Sequence, residues 1–487
     1  MTSAPHAPAP ETSPAPDSAA IPPPGFDTLG LPPAVLANLQ RLGYLAMTPI
    51  QAAALPVALA GRDLIAQART GSGKTAAYAL PLLGRLNLAH NRVQALVLCP
   101  TRELADQVAK EIRRLARAED NIKVLTLCGG ATLKPQAASL AHGAHVVVGT
   151  PGRLLDHLQR GNLALEALST LVLDEADRML DMGFRDDIAA VADACPAHRQ
   201  TLLFSATYPA GIAELAGRFL REPEQIRLAE GHAEGRIRQR FYEVAEDGRL
   251  AAVSRLLRHY RPANALAFCN TRQQCRDLVA QLEADGIAAL ALHGELEQRE
   301  RDQVLVRFAN GSSRVLVATD VAARGLDIAG LEAVINVDVA PEPAVHVHRI
   351  GRTGRGGSSG ADGWALSLVG PRERRRVEAL AAAHGFTLEW HPLAELESTE
   401  ATGPAPLQPA MRTLQLLAGR KDKLRAGDIL GALTGEAGCS REQIGRIDLA
   451  DAVSYVAVAA DVAAQAARRL GEGRIKGKRI RVRLLED

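Results

Sequence analysis

Short apolar runs alternating with helical patterns, twice over, constrain this chain more than any other feature. The runs lie at 64–68, 95–99, 123–128, 145–149, 171–173 and 201–204. After a turn-rich, charged stretch near 221–238 they resume at 241–244, 265–269, 287–292, 315–318, 333–337 and 364–369. Strand–helix–strand alternation predicts parallel sheets with helices on both faces. Two such blocks predict two similarly built α/β domains in tandem. No close internal repeat accompanies them, so the duplication is one of fold. A chain of 487 residues is too long for one core, which agrees.

The first run feeds a small-residue loop. Residues 68–75 read Ala68-Arg69-Thr70-Gly71-Ser72-Gly73-Lys74-Thr75. Glycines there let backbone N–H groups turn inward around a phosphate chain, with Lys74 reaching the β- and γ-phosphates and the Thr75 hydroxyl holding Mg²⁺. The helix that starts at this point adds its positive dipole end. Ala68 stands where a P-loop usually opens on Gly, and a plain glycine turn capping a helix is the alternative. The acidic and arginine strings further along the chain favour the P-loop.

Polar groups cluster where the runs end: Pro100-Thr101-Arg102-Glu103, Thr150-Pro151-Gly152-Arg153, Asp174-Glu175-Ala176-Asp177 and Ser205-Ala206-Thr207. Parallel sheets bind ligands at the carboxyl ends of their strands, so these groups are expected on one edge. Asp174 can hold Mg²⁺ through water, and Glu175 can orient a water towards the γ-phosphate. A helix N-cap is the bland reading of such acids. In the second block, His348-Arg349-Ile350-Gly351-Arg352-Thr353-Gly354-Arg355 carries several cations on a glycine-punctuated turn. Arginines neutralise charge in phosphoryl transfer, which makes Arg352 and Arg355 catalytic candidates; a basic, RNA- or solvent-facing loop is the alternative.

Taken together these strings resemble the DEAD-box family of ATP-dependent RNA helicases over about residues 25–390. Asp-Glu-Ala-Asp at 174–177 is the motif that names the family, and Ala68 fits its version of the P-loop. The resemblance implies two RecA-like parallel-sheet domains, ATP and Mg²⁺ as cofactors, and RNA as partner. It implies that Phe26 stacks on adenine while Gln51, in Met47-Thr48-Pro49-Ile50-Gln51, hydrogen-bonds the base, and that Asp327 touches the ribose. Asp177, Ser205, Thr207 and His348 would couple the domains. Pro100, Thr101, Arg102, Gly130 (beside Gly129), Thr150, Gly152 and Arg153 would contact RNA from the first domain. Asn270, Thr271, Gln298, Arg301 and Thr319 (beside Asp320) would do so from the second. Backbone-gripping contacts of this kind do not read bases, and 2′-hydroxyl contacts favour RNA.

The ends of the chain differ from its middle. Residues 1–24 are Pro, Ala and Ser with almost nothing apolar to bury, and read as a disordered arm. The expected plan is a first domain at 25–230, a second at 231–394, a linker at 395–410 and a small domain at 411–487. From Met411 onward 15 Lys/Arg face 10 Asp/Glu, so the tail carries +5 and the remainder −3. Its patterns run β-α-β-β-α-β, the RRM layout, an α+β fold. Only Tyr455 is available as a base-stacking aromatic on that sheet. The RNA site is therefore also sought on two basic runs, Arg420-Lys421-Asp422-Lys423-Leu424-Arg425 and Lys476-Gly477-Lys478-Arg479. Residues 419–435 and 473–477 resemble the tail of one bacterial branch of the family, with Ala426 where that branch usually has Pro. The branch implies recognition of a 23S ribosomal RNA hairpin and adjoining duplex in the pre-50S particle, during large-subunit assembly.

Composition narrows the setting. No apolar stretch has bilayer-spanning length, and the first residues lack a signal peptide's basic start and apolar core. Six scattered cysteines lack metal-ligand spacing, several within apolar runs. A cytoplasmic, monomeric RNA-stimulated ATPase that unwinds short duplexes is the leading expectation. An ATP-gated RNA clamp without productive unwinding and, more weakly, a DNA helicase are its rivals.

Overall fold

The computed structural model describes residues 24–68, 71–119, 121–227, 237–323, 331–354, 362–396 and 408–485. Nearly all of the expected N-terminal arm and most of the expected linker lie outside them. Three sheets organise the described residues. The first contains β1 (Leu64–Gln67), β2 (Ala95–Leu98), β3 (Val124–Leu127), β4 (Val146–Gly149), β5 (Thr170–Leu173), β6 (Gln200–Ser205) and β7 (Glu224–Arg227). Its spatial order is β3-β4-β2-β5-β6-β1-β7, parallel throughout. The second contains β8 (Ile237–Glu243), β9 (Ala265–Cys269), β10 (Ala289–Leu292), β11 (Val315–Thr319), β12 (Ala333–Asn336), β13 (Gly363–Val369) and β14 (Trp390–His391). Its order is β10-β11-β9-β12-β13-β8-β14, again all parallel. These are two RecA-like lobes, and each sheet is buried on both faces.

That double burial comes from the sequence. In β2, Ala95 and Val97 enter one apolar cluster and Leu96 and Leu98 the other, because successive strand side chains point to opposite faces. The charged stretch near 221–238 holds an unexpected strand: β7 pairs with β1 at the sheet edge, with half-exposed side chains instead of an apolar run. The Glu224 N–H donates to the Asp63 carbonyl to start it. At the far end of lobe 2, Leu396, which falls within the expected linker, is buried in that lobe's core.

The tail folds as β15 (Met411–Leu416), a helix Ala426–Thr434, β16 (Ile444–Leu449), β17 (Ser454–Ala459), a helix Ala463–Glu472 and β18 (Val482–Leu485). The strand order β16-β17-β15-β18 is antiparallel, with the tail's first and third strands in the middle as in an RRM. One sheet face, through Leu414, Leu416, Val456 and Val458, packs with Ile429, Leu433, Ala466 and Leu470 of the two helices. The opposite face is also covered. Thr413, Gln415 and Tyr455 are all buried there. Thr413 Oγ1 lies 2.7 Å from Ser312 Oγ and accepts from Asn310 Nδ2 at 3.3 Å, so this face rests on lobe 2. Tyr455, the sole candidate for base stacking, is closed off, and its hydroxyl accepts from Gln415.

All six cysteines are buried and free. No described helix is long and apolar enough to cross a membrane.

Candidate ATP site and RNA-facing surface

The sheet order brings the ends of β5, β6 and β1 side by side, and with them the three strings expected on one edge. The Ala68 N–H donates to the Ser205 carbonyl at 2.9 Å, and the Asp174 N–H to the Leu98 carbonyl at 3.0 Å. Gly71 and Gly73 adopt φ of 80° and 91°, a conformation that L side chains rarely enter. A Cβ at Gly73 would lie 2.5 Å from Gln51 Nε2, so a side chain there would displace the Gln51 amide. From this turn the helix Lys74–Gly84 departs, carrying Lys74 and Thr75 in its first turn.

Two buried atoms at this point lack protein partners. Lys74 Nζ and Asp174 Oδ1 are both out of water without a hydrogen bond. Burying polar groups in that way is costly unless something else satisfies them. An ammonium so placed suits a phosphate, and a carboxylate oxygen suits a water bound to Mg²⁺. Among the described residues no cluster of three or more His, Cys, Asp or Glu offers a protein cage for a metal. A Thr75–Asp174 pair matches Mg²⁺, which keeps most of its water and takes one or two protein groups. Asp174 Oδ2 accepts from the buried Tyr78 hydroxyl at 2.8 Å, which fixes the carboxylate. Burial, and secondarily Glu175, raise the Asp174 pKa above the ordinary carboxylate value, against Lys74 and Tyr78.

Glu175 sits at φ 51°, ψ 51°, left-handed for a residue with a long side chain. Strain of this kind persists only where surroundings enforce it, and it concentrates at functional sites. Its carboxylate accepts from Arg178 at 3.3 Å, both side chains being buried. Asp177 faces the other way. Its Oδ2 accepts from the Thr207 N–H and hydroxyl, each at 2.8 Å, while the Ser205 hydroxyl donates to the Thr207 carbonyl at 2.7 Å. Burial works against its charge, yet the Thr207 bonds, Lys74 and His348 together hold its pKa below normal.

His348 belongs to lobe 2, and the lobes meet here. A cavity is lined by Arg178, Asp181, Thr207 and Pro209 from lobe 1 and by Asp320, His348, Arg349 and Arg352 from lobe 2, among others. Burial, followed by the positive charge of Arg178, lowers the His348 pKa to about 4, so the ring is neutral at pH 7. Arg349, which nothing in its string sets apart, is the anchor of this surface. It donates to both Asp320 carboxylate oxygens at 2.7 Å, to Asn270 Oδ1 at 3.0 Å and to the Asp338 carbonyl at 2.6 Å. Arg352 is buried a turn further on. Thr70, Asp327 and Arg355 lie outside the described residues.

The adenine-side pair is packed in this state. Phe26 is 4% exposed and meets Tyr44 edge-on, with ring centroids 6.0 Å apart, so its face is in the core and not open to a base. Gln51 closes a capping box with Thr48 and donates from Nε2 to the Gly73 carbonyl at 3.1 Å, tying its helix to the phosphate loop. One N–H and one lone pair of the amide remain for a base.

The RNA-side residues divide into groups. Thr101 and Thr271 occupy matching places in the two lobes, each capping the helix after a strand end. Pro100, Thr150, Gly152 and Thr319 lie at the ends of strands or the starts of helices. Arg102 lies over Gly130, whose φ of 73° and lack of Cβ make room for the guanidinium. Arg102 also donates to Gln298 of lobe 2 at 2.8 Å. Arg301 does not face outward: it pairs with Glu103 across the lobes and donates to the Ala322 carbonyl. Arg153 is likewise diverted, donating twice to the Ala131 carbonyl at 3.0 Å and once to Gln136 at 2.9 Å. These bonds tie it to the loop that follows Gly130. In the tail, the two basic runs form one cluster, because Lys476 Nζ donates to the Lys423 carbonyl at 2.9 Å. Arg420, Lys421, Lys423, Arg425 and Lys478 are exposed around it, with Asp451 shared between Arg420 and Lys421.

Fold and site together define a P-loop ATPase of two facing RecA-like lobes with a basic RRM-like tail. Comparison with known proteins agrees at every part. The DEAD/DEAH box helicase family matches residues 48–215, the helicase conserved C-terminal domain 248–357, and the DbpA RNA binding domain 413–484. The chain is 54% identical to the ATP-dependent RNA helicase DbpA of Escherichia coli over 462 residues, 95% of this chain and 99% of that protein. It is 45% identical to the DEAD-box helicase CshA of Geobacillus kaustophilus over 349 residues, 72% of this chain and 74% of the relative. Among solved structures, Saccharomyces cerevisiae Dbp5 bound to RNA and ADP BeF3 superposes with a TM-score of 0.69 at 30% identity, covering 77% of this chain and 97% of that one. The chain belongs to the DEAD-box family of ATP-dependent RNA helicases. It uses ATP, binds RNA and carries a DbpA-type RNA-binding domain at its C-terminal end.

Proposed function

We propose that this helicase is an RNA-stimulated ATPase that opens short duplexes locally, directed by its tail to a hairpin of 23S ribosomal RNA in pre-50S particles of the cytoplasm, and that it acts as a monomer. The observation that carries the catalytic half is the pair of buried, unpartnered atoms Lys74 Nζ and Asp174 Oδ1 beside the strained Glu175, whose ion-pair partner Arg178 lines a cavity with His348 and Arg352 of the other lobe. In this reading Lys74 and the N–H groups of Gly71, Ser72 and Gly73 grip the phosphates. Thr75 and Asp174 hold Mg²⁺, which neutralises charge on the phosphates when bound. Glu175 orients the attacking water, and Arg352 with Arg355 stabilises the charge that develops on the transferred group. The Asp177–Thr207–Ser205 knot abuts His348, so closure of the lobes is felt at the catalytic acid next door.

The tail's match to the DbpA RNA binding domain supports the ribosomal target, since the E. coli relative shares it over nearly its whole length. The test is a strand-displacement assay on a short RNA duplex joined to the 23S hairpin, beside an equal duplex without it. Faster ATP-dependent opening of the hairpin-bearing substrate is expected. Equal opening of both would refute the targeting, and ATP-dependent retention of RNA without opening would make the protein a clamp.

A further inference from the structure

We propose that Arg178 is the positioning residue through which closure of the lobes sets the Glu175 carboxylate: its guanidinium holds one oxygen, Oε2, and leaves the other to the attacking water. The inference deepens the reading of Glu175 as the water-orienting acid and rests on it.

An acid and an arginine three residues apart are ordinarily a surface pair of small worth. This pair is different. Glu175 stands before the helix Ala176–Asp181 in a left-handed conformation, so regular helical spacing does not set the contact. Arg178 Nη1 donates to Glu175 Oε2 at 3.3 Å, with the two side chains only 6% and 8% exposed. Lobe 1 fixes the root of Arg178. Its backbone N–H donates to Asp177 Oδ1 at 3.0 Å, and the Asp177 N–H donates to the Ser205 hydroxyl at 3.3 Å. Beyond that root, Arg178 lines the cavity between the lobes with His348, Arg349 and Arg352. Its charge is felt across the boundary, since after burial it is what most depresses the His348 pKa.

A water is placed only as well as the oxygen that orients it, and a free Glu side chain turns about several bonds. What lobe 2 brings to the cavity tightens the hold on that side chain. Arg349 and Arg352 are cations and repel the Arg178 guanidinium towards Glu175. Of the lobe 2 carboxylates lining the cavity, Asp320 is held through both oxygens by Arg349, and Glu342 is exposed. Closure also removes water from around the guanidinium, and a charged hydrogen bond strengthens as its surroundings lose water. With the lobes apart, water reaches Arg178 and screens the pair. Glu175 therefore receives a firm orientation only when lobe 2 is in place.

The test is single-turnover ATP hydrolysis by the full chain, with and without a saturating short RNA duplex, beside ATP affinity from equilibrium titration. Arg178→Met should lower the RNA-bound rate about 10–100-fold, change the RNA-free rate far less and leave ATP affinity within about twofold. Arg178→Lys, which keeps a cation, should recover part of the loss. Because Arg178 acts through Glu175, adding Arg178→Met to Glu175→Gln should cost less than about threefold more, whereas a merely structural role would multiply the two losses. The double variant leaves no unpaired acid buried, so it decides the matter if Arg178→Met alone does not fold. Multiplied losses, a parental rate in folded Arg178→Met, or an equal loss without RNA would overturn the proposal. A near-parental rate in Glu175→Gln would instead sink the reading of Glu175 itself, and this inference with it.

Discussion

The two lobes share a fold and differ in what they leave unfinished. After β2 and β9 the chain does the same thing in each, a Thr capping the next helix. Beyond that they diverge. Lobe 1 keeps a buried ammonium and a carboxylate oxygen without partners and holds Glu175 in a left-handed conformation. In lobe 2, Arg349 instead ties Asn270, Asp320 and the Asp338 carbonyl into one knot. In the proposed reading lobe 1 is completed by the nucleotide, and lobe 2, anchored by Arg349, presents His348 and Arg352. The two lobes share a scaffold, and their polar groups are placed asymmetrically upon it.

Removing the lobe 2 charge from the site breaks this division most sharply. Arg352→Ala should lower turnover by three to five orders of magnitude with ATP affinity largely kept, because such arginines act on transition-state charge. A rise in KM at unchanged kcat would make Arg352 a ground-state contact and the asymmetry false. Glu175→Gln removes from lobe 1 the acid proposed to orient water. Single-turnover hydrolysis should fall about 10²–10⁴-fold while nucleotide stays bound, whereas Lys74→Ala should lose the nucleotide itself.

How far the sequence carries these expectations depends on whether a contact is local. The strand ends carrying Lys74, Asp174, Glu175 and Thr207 were legible, because short apolar runs mark strands and parallel sheets collect their carboxyl ends on one edge. Contacts between distant parts were not. Nothing near Arg301 announces Glu103, nearly two hundred residues earlier, and nothing near Arg153 announces the Ala131 carbonyl. Tyr455 looked available from its place in the strand pattern; it is buried, bonded to Gln415, on the sheet face whose Thr413 rests on lobe 2. Edge strand β7 escaped notice because it has polar residues where an inner strand would be apolar. The left-handed Glu175 has no sequence signal at all.

A smaller effect is expected in lobe 2. Arg349→Met strands Asp320 and Asn270 and should destabilise lobe 2 by about 3–5 kcal/mol. Thermal unfolding followed by a lobe 2 reporter, with nucleotide binding to lobe 1 unaffected, checks it. Loss of nucleotide binding as well would mean that the lobes do not divide their labour.

The smallest effect is that of pH on lobe closure. His348 titrates near 4 with the lobes together and near its ordinary 6.5 when solvated. The separated state therefore binds the proton more readily, and closure weakens as pH falls from about 6.5 towards 4, by at most tenfold per pH unit. Fluorescence energy transfer between lobes should report this, and His348→Gln should remove that part of the pH dependence.

In the proposed reading one lobe holds the nucleotide and the other carries Arg352, so RNA that favours lobe closure should favour the complete site. ATP hydrolysis by the full chain, measured with and without saturating RNA, puts this dependence to the proof. Slow turnover without RNA and a rise on the order of a hundredfold with it are predicted, as for a site assembled by closure. Equal rates in both conditions would contradict it.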